Sequence, residues 1–400
     1  VRSTTRSSRI ARYFAATVPA ALILAGCSAN PGPTSVTDAG IPDNVESAIA
    51  GRGEKDMRDG AQRADEEWHG TKGRHDRDDE PSDDHAAEAA GAGAGAGAAS
   101  TEATADRMTE TFDLQAHRGG RGENTEESRE AFQHALDMGV TTLEFDIVLS
   151  KDGVPVVWHD PDIKAEKCAD TEPVAKDDPQ FPYVGKAVHD LTFEQLQTLN
   201  CNKALADFPD AQHTEDNRLL QLGEVLDMAK DHDVRFNIET KIEADDPAKS
   251  ATPQEFVDTI VPELQERDLV ERTTIQSFDW SSLPLVKKAE PKLDTVMLWS
   301  ADTWTSGSPW TGKVDYDDVD GDIAKAAEKL DADMLSPEYS LVDAEMVNGA
   351  HEHNLPVMPW TANEPDDMNR LIDTGVDGVI TDFPTALRDI LNERGIDYSA

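Results

Sequence analysis

From Leu114 onward, short apolar runs alternate with amphipathic stretches eight times over roughly 290 residues, and this alternation constrains the fold more than any other feature. The strand candidates lie near 114–118, 141–148, 234–240, 272–277, 294–299, 333–337, 356–361 and 378–382. Helical patterns between them include 125–138, 222–232, 253–267, 281–289, 322–330, 343–353 and 365–373. Eight βα units in series predict an α/β fold of the TIM (β/α)8 barrel type, with the active site at the carboxyl ends of the strands. Lys151, Asp152 and Gly153 followed by VPVVWHD predict a hairpin extension after strand two that brings His159 back over the mouth. The span 161–220 is too long for a simple βα connection and predicts an inserted subdomain.

The chemistry concentrates at strand ends. In TTLEFDIVL, Thr142, Glu144 and Asp146 share one face, and Leu143, Phe145 and Ile147 share the other. Two carboxylates pointing the same way repel, and burying either without a cation costs several kcal/mol by order of magnitude. In RFNIETK the same alternation turns Asn237, Glu239 and Lys241 to one side, which adds a third acid and an ammonium that could hold a phosphate oxygen. All the local acids are oxygen ligands and no Cys or His cluster with zinc spacing is near, so the expected ion is hard and divalent, Mg²⁺ or Ca²⁺. His117 and His159, at the ends of consecutive strands, add two groups that titrate near neutrality.

The ordered motifs are HRG (117–119), ENT (123–125), E-x-D at 144–146, KDG, a strand ending in His159-Asp160, ETK (239–241), W-T-x-N from Trp360, and GVDGVITDFP near the end. This set resembles the glycerophosphodiester phosphodiesterases over about 113–387. The resemblance implies general acid and base roles for His117 and His159, a metal shell of Glu144, Asp146 and Glu239, and a phosphate clamp of Arg118 and Lys241. Trp360 and Asp382 match positions near the barrel mouth, where Trp360 could pack against glycerol carbons. One departure is visible: many members carry a longer, Pro-containing stretch before ENT, whereas Gly122 stands here, so the mouth beside His117 is expected to differ in shape.

Ahead of the barrel, Arg2, Arg6, Arg9 and Arg12 precede an apolar run at 13–24, too short to span a bilayer, which predicts an export signal over 1–26. Leu24, Ala25, Gly26 and Cys27 match a bacterial lipobox, and the match implies lipidation of Cys27. Residues 27–107 are rich in Gly, Ala, Asp, Glu and Ser and predict a disordered tether before the catalytic domain at 108–400. In an exported protein the two remaining cysteines, Cys168 and Cys201 in the insertion, favour a disulfide. Phe181, Tyr183 and Phe208 of the same segment are candidate pocket walls, or else a small core. The net charge of −43 argues against nucleic acid as a partner and against electrostatic docking on anionic lipid, leaving the lipid anchor as the expected membrane attachment. It also makes Arg118, Arg121 and Lys241 a local cationic island for an anionic substrate.

The expectation is therefore an extracytoplasmic, membrane-anchored enzyme that releases sn-glycerol 3-phosphate and an alcohol from small glycerophosphodiesters, with no obligate protein partner evident. Lysophospholipids or glycerol-phosphate polymers of the envelope are alternative substrates. A surface-binding lipoprotein without turnover is the alternative of a different kind, though every expected catalytic position is filled.

Overall fold

The computed structural model describes residues 111–399; the expected signal segment, Cys27 and the tether lie outside the described residues. The described residues form eight strands: β1 Asp113–His117, β2 Thr142–Leu149, β3 Pro155–Val157, β4 Arg235–Thr240, β5 Thr273–Ser277, β6 Asp294–Trp299, β7 Met334–Pro337 and β8 Gly378–Thr381. They form one sheet in the order β7-β6-β5-β4-β2-β1-β8, parallel throughout except for β3, which pairs antiparallel with β2 as the expected hairpin extension. The remaining expected strand, 356–361, is present as bridges. Val357 and Trp360 pair with Leu335 and Glu338 beside β7. On its other side the backbone N–H of Ile380 donates to the carbonyl of Pro359 at 3.0 Å. These links close the sheet between β7 and β8, and the fold is a TIM-type α/β barrel. Pro356 and Pro359 each lack an N–H, which is why this stretch makes no continuous ladder.

Helices follow the strands: α1 Arg129–Met138, α2 Phe193–Leu196, α3 Leu222–Ala229, α4 Pro253–Glu266, α5 Leu283–Ala289, α6 Ile323–Leu330, α7 Ala344–Glu352, α8 Pro365–Thr374 and α9 Pro384–Arg394. The outward strand residues Leu143, Phe145, Ile147, Phe236 and Ile238 are fully buried against them in the main core. The barrel interior is polar instead. Asn237 donates to Gln115 at 2.8 Å and to Gln276 at 3.0 Å, and Gln276 donates in turn to Glu144 at 2.6 Å. The amide ladder thus ends at the first of the paired acids.

Helix α1 begins four residues later than the sequence pattern predicts. Ser128 caps it by accepting from the N–H of Ala131, and the preceding Glu127 adopts a left-handed φ of 52°. That turn aims the Glu127 carboxylate at the backbone N–H of Asp146, 3.1 Å away. The helix gives up a turn of its own to brace β2.

The insertion has a core of its own, built from Ile163, Tyr183, Val188, Leu191, Leu196 and Leu199 and stapled by the disulfide Cys168–Cys201. Phe181 packs edge-on against Tyr183, whose hydroxyl donates to Asp178 at 2.7 Å. Those two aromatics therefore form the small core and not a pocket wall. Phe208 alone of the three turns toward the barrel, 5.8 Å edge-on from Phe383. No helix among the described residues is long and apolar enough to cross a membrane. The disulfide closes a loop of 33 residues, so the double variant Cys168→Ser/Cys201→Ser should lose about 4 kcal/mol from the insertion by the loop-entropy relation. Proteolysis should then cut within 161–220 before the barrel; equal protease resistance of wild type and variant would contradict this.

Candidate active site

Strand register decides which side chains meet. His117 lies opposite Glu144, and Asp146 lies opposite Glu239, across the β1–β2 and β2–β4 pairs. Glu144, Asp146 and Glu239 consequently bring one carboxylate oxygen each within 4.8 Å of one another, all three buried. This is the trio the alternation pattern singled out.

Without a cation the trio is strained electrostatically. Burial, reinforced by Asp146 and Glu239, pushes the Glu144 carboxyl well above its ordinary range. Burial likewise pushes Glu239 up to about 7, with Lys241 opposing and Asp146 adding. Asp146 goes the other way: against its burial, Arg118, His159 and Lys241 hold it below the usual carboxylate range. Neither Asp146 oxygen accepts a hydrogen bond, although Arg118 Nε stands 3.0 Å from Oδ2 as an ion-pair partner. Three converging buried carboxylates, with both oxygens of the central Asp146 short of donors, suit a hard divalent cation.

Arg118 shapes the mouth through its backbone as well as its side chain. At a φ of 52° it breaks β1 sharply, so that its N–H donates to Glu144 Oε2 at 3.1 Å while its guanidinium faces Asp146 and Glu126. It lines the cavity with two of its three nitrogens already turned to carboxylates. Lys241 lies 2.7 Å from Glu239 and 3.9 Å from Asp146, and these charges raise its pKa against the effect of burial. Both cations therefore stay charged.

His117 Nδ1 is 2.5 Å from Asp382 Oδ1. Asp382, held below the ordinary range by His117 and Arg121 despite its burial, is ionised and can only accept, so Nδ1 carries the proton and Nε2 keeps its lone pair. That Nε2 faces the trio, 3.9 Å from Glu144. Asp382 is itself fixed by Arg121 at 2.8 Å and by Asn363 at 2.7 Å. His159, carried back by β3 as expected, has an Nδ1 without a hydrogen-bond partner. Burial lowers both imidazoles, with Lys241 and Arg118 pressing His159 further down and Asp382 partly supporting His117.

One cavity of about 140 Å³ is lined by His117, His159, Glu144, Glu239, Arg118, Arg121 and Lys241, with Gln276, Phe278 and Trp360 among its other walls. Trp360 donates its indole N–H to the carbonyl of Ser336 at 3.0 Å and packs edge-on against Phe278, 5.3 Å between ring centres. All the barrel residues singled out from sequence thus meet at this mouth, Asp146 behind the others. Sequence reasoning missed Glu126, Glu127, Gln276 and Phe278, and gave Asp382 and Asn363, both within quoted motifs, places without a task. Gln276 was legible in principle, since the alternation of TTIQS turns it inward; the others depend on contacts between distant turns.

Gly122, at the visible departure from the family pattern, sits where no side chain fits. A Cβ there would lie 2.6 Å from Phe383 Cε1 and 2.8 Å from the Asp382 carbonyl oxygen, which accepts the Gly122 N–H at 2.9 Å. Only glycine lets this turn pass so close to the segment that carries Asp382.

Comparison with known proteins agrees with this geometry. The profile of the glycerophosphoryl diester phosphodiesterase family matches residues 117–386. A glycerophosphodiester phosphodiesterase of Caldanaerobacter subterraneus subsp. tengcongensis is 28% identical over 280 residues, covering 70% of this chain and 98% of the relative. A solved structure from Silicibacter pomeroyi superposes with a TM-score of 0.62 at 28% identity, covering 72% of this chain and 96% of that one. The phosphodiesterase of Oleispira antarctica, solved with the product sn-glycerol-3-phosphate, shares the fold at a TM-score of 0.54 and 19% identity over 71% of this chain and 98% of its own. Since the matched span takes in both histidines, the acidic trio and well over half of the sequence, the chain belongs to the glycerophosphoryl diester phosphodiesterase family.

Proposed function

We propose that this enzyme hydrolyses glycerophosphodiesters to sn-glycerol 3-phosphate and an alcohol, with His117 and His159 as the general acid–base pair and Glu144, Asp146 and Glu239 as ligands of Mg²⁺ or Ca²⁺. The observation that carries the reading is the convergence of two imidazoles, a buried acidic trio and two charged side chains, Arg118 and Lys241, on one cavity. Phosphodiester hydrolysis needs neutralised non-bridging oxygens, an activated hydroxyl or water, and a proton for the departing alkoxide. A divalent cation at the trio supplies Lewis acidity to a phosphoryl oxygen.

The protein's own groups divide the remaining work. Lys241 and Arg118 compensate the negative charge of the phosphate. His117 accepts a proton at Nε2, and Asp382 stabilises the imidazolium that results. His159 protonates the leaving oxygen once the negative charge of the bound phosphate offsets the Lys241 and Arg118 charges that, on top of burial, otherwise keep its imidazole neutral. Trp360 covers the glycerol carbons. The lipobox ending at Cys27 supports a lipid-anchored, extracytoplasmic placement of the same enzyme.

His117→Ala and His159→Ala should each lower kcat for glycerophosphodiester hydrolysis by about 10²–10⁴-fold, with little change in melting temperature. Release of glycerol 3-phosphate from several diesters measures this, and full activity in either variant removes that histidine from the chemistry. EDTA should abolish the activity and Ca²⁺ or Mg²⁺ restore it.

Cation binding should also be proton-linked. Glu144 and Glu239 have raised pKa values in the cation-free fold, so a cation must displace the protons they hold, and affinity should strengthen as pH rises through about 7. The sign for stability is opposite. A carboxyl titrating near 7 when folded and near 4.5 when unfolded makes the cation-free protein less stable as pH rises across that window. Thermal melts should therefore show a larger gain from Ca²⁺ at about pH 8 than at about pH 5.5, and Glu239→Gln should flatten the difference. Equal gains at both pH values would contradict the assignment.

A further inference from the structure

One lysine of the insertion reaches the active-site mouth from behind. The side chain of Lys167 is largely buried, with Nζ 2.5 Å from Glu126 Oε1 and 2.6 Å from Asp160 Oδ2. Glu126 Oε2 in turn meets Arg118 at 3.3 Å and Arg121 at 3.7 Å, while Asp160 Oδ1 lies 3.5 Å from His159 Nδ1. A single ammonium thus stands one carboxylate away from Arg118 and one carboxylate away from His159. Its own charge, which alone would oppose a proton on His159, is matched by the two carboxylates it joins.

The two arms do not depend on Lys167 equally. Without it Arg118 would keep Asp146, and Glu126 would keep both arginines. Asp160 would be left with His159 alone, since among the described residues no other basic group stands within ion-pair distance of it. His159 Nδ1 is buried without a hydrogen-bond partner, so the ring presents Nε2 to the cavity and only Asp160 can serve Nδ1. A carboxylate behind an imidazole fixes the ring and stabilises the imidazolium. Asp160 is part-exposed, and Lys167 is what keeps its carboxylate from turning out to water. Lys167 is itself secured: its carbonyl accepts from the N–H of Lys203 at 3.1 Å, and the adjacent Cys168 is bonded to Cys201.

The geometry points to Lys167 as a positioning residue that, through Asp160, holds His159 ready to protonate the departing alkoxide. The assignment rests on His159 being the general acid of diester cleavage, and it gives the insertion a task in that step. The P–O bond to the leaving alcohol breaks, its electron pair stays on that oxygen, and the oxygen takes the proton from His159 Nε2 while Asp160 faces Nδ1.

The test uses two leaving groups. Choline leaves as an alkoxide that needs a proton, whereas p-nitrophenolate is a stable anion that departs without one. At saturating Ca²⁺ or Mg²⁺, Lys167→Met and Asp160→Asn should each lower kcat for glycerophosphocholine by about tenfold. KM should stay within about twofold, because Arg118 and Lys241 remain. For the p-nitrophenyl ester of glycerol 3-phosphate, kcat of both variants should stay within about twofold of wild type. The double variant should lose no more than either single one, since both act through one ring, and Lys167→Arg should recover most of the loss. Equal losses on the two substrates in Lys167→Met, or losses that multiply in the double variant, overturn the assignment. His159→Ala on the same pair separates it from the reading beneath. If His159→Ala slows both substrates equally, His159 is not the acid and the assignment falls with that reading. If His159→Ala slows glycerophosphocholine selectively while Lys167→Met slows both or neither, the assignment alone falls. Should Lys167→Met melt below the assay temperature, Asp160→Asn, which keeps the shape of its side chain, carries the comparison.

Discussion

Two carboxylates on one face of β2, with a third directly opposite on β4, set the conditions that the rest of the barrel mouth has to meet. Glu144, Asp146 and Glu239 are buried with carboxylate oxygens within 4.8 Å of one another, a position that is unfavourable by several kcal/mol per charge unless it is compensated. The compensation comes from every neighbouring strand. Gln276 on β5 donates to Glu144, Lys241 beyond β4 holds Glu239, and the turn after β1 gives Glu144 an N–H and Asp146 a guanidinium. What remains uncompensated is the pair of Asp146 oxygens and the raised carboxyls of Glu144 and Glu239, which hold protons where a cation would sit.

Several local oddities of the backbone follow from this one demand. Arg118 takes a left-handed conformation at an expected cost of order 1–3 kcal/mol, and its backbone and side-chain contacts to β2 offset it. Glu127 does the same to brace Asp146, which delays the start of α1 to Arg129. Gly122 clears the way for the Asp382–Phe383 segment, and Asp382 then fixes the tautomer of His117. The insertion packs most of its aromatic mass into a core of its own and turns only Phe208 toward the barrel.

The strands, most helices and the acidic trio were legible because they follow from periodicity: residues two apart in β2 and β4 must share a face, and register between adjacent parallel strands places the rest. The hairpin that returns His159 was legible from its turn. The segment 356–361 was expected as a full strand and is a pair of bridges, since its two prolines withhold N–H groups that apolar patterning does not register. The tasks of Asp382, Asn363 and Glu127 were not legible because they arise from turns brought together by barrel closure, where no spacing rule operates. Phe181 and Tyr183 were ambiguous between wall and core because aromatic composition alone does not tell which way a loop folds.

The most direct test of the account is a crystal structure of the catalytic domain grown with Ca²⁺ and glycerol 3-phosphate. The account predicts one cation bound by Glu144, Asp146 and Glu239 and coordinated to a phosphate oxygen, with Lys241 on the phosphate and with His117 and His159 beside it. A cation elsewhere, or a phosphate bound out of reach of both histidines, would contradict it.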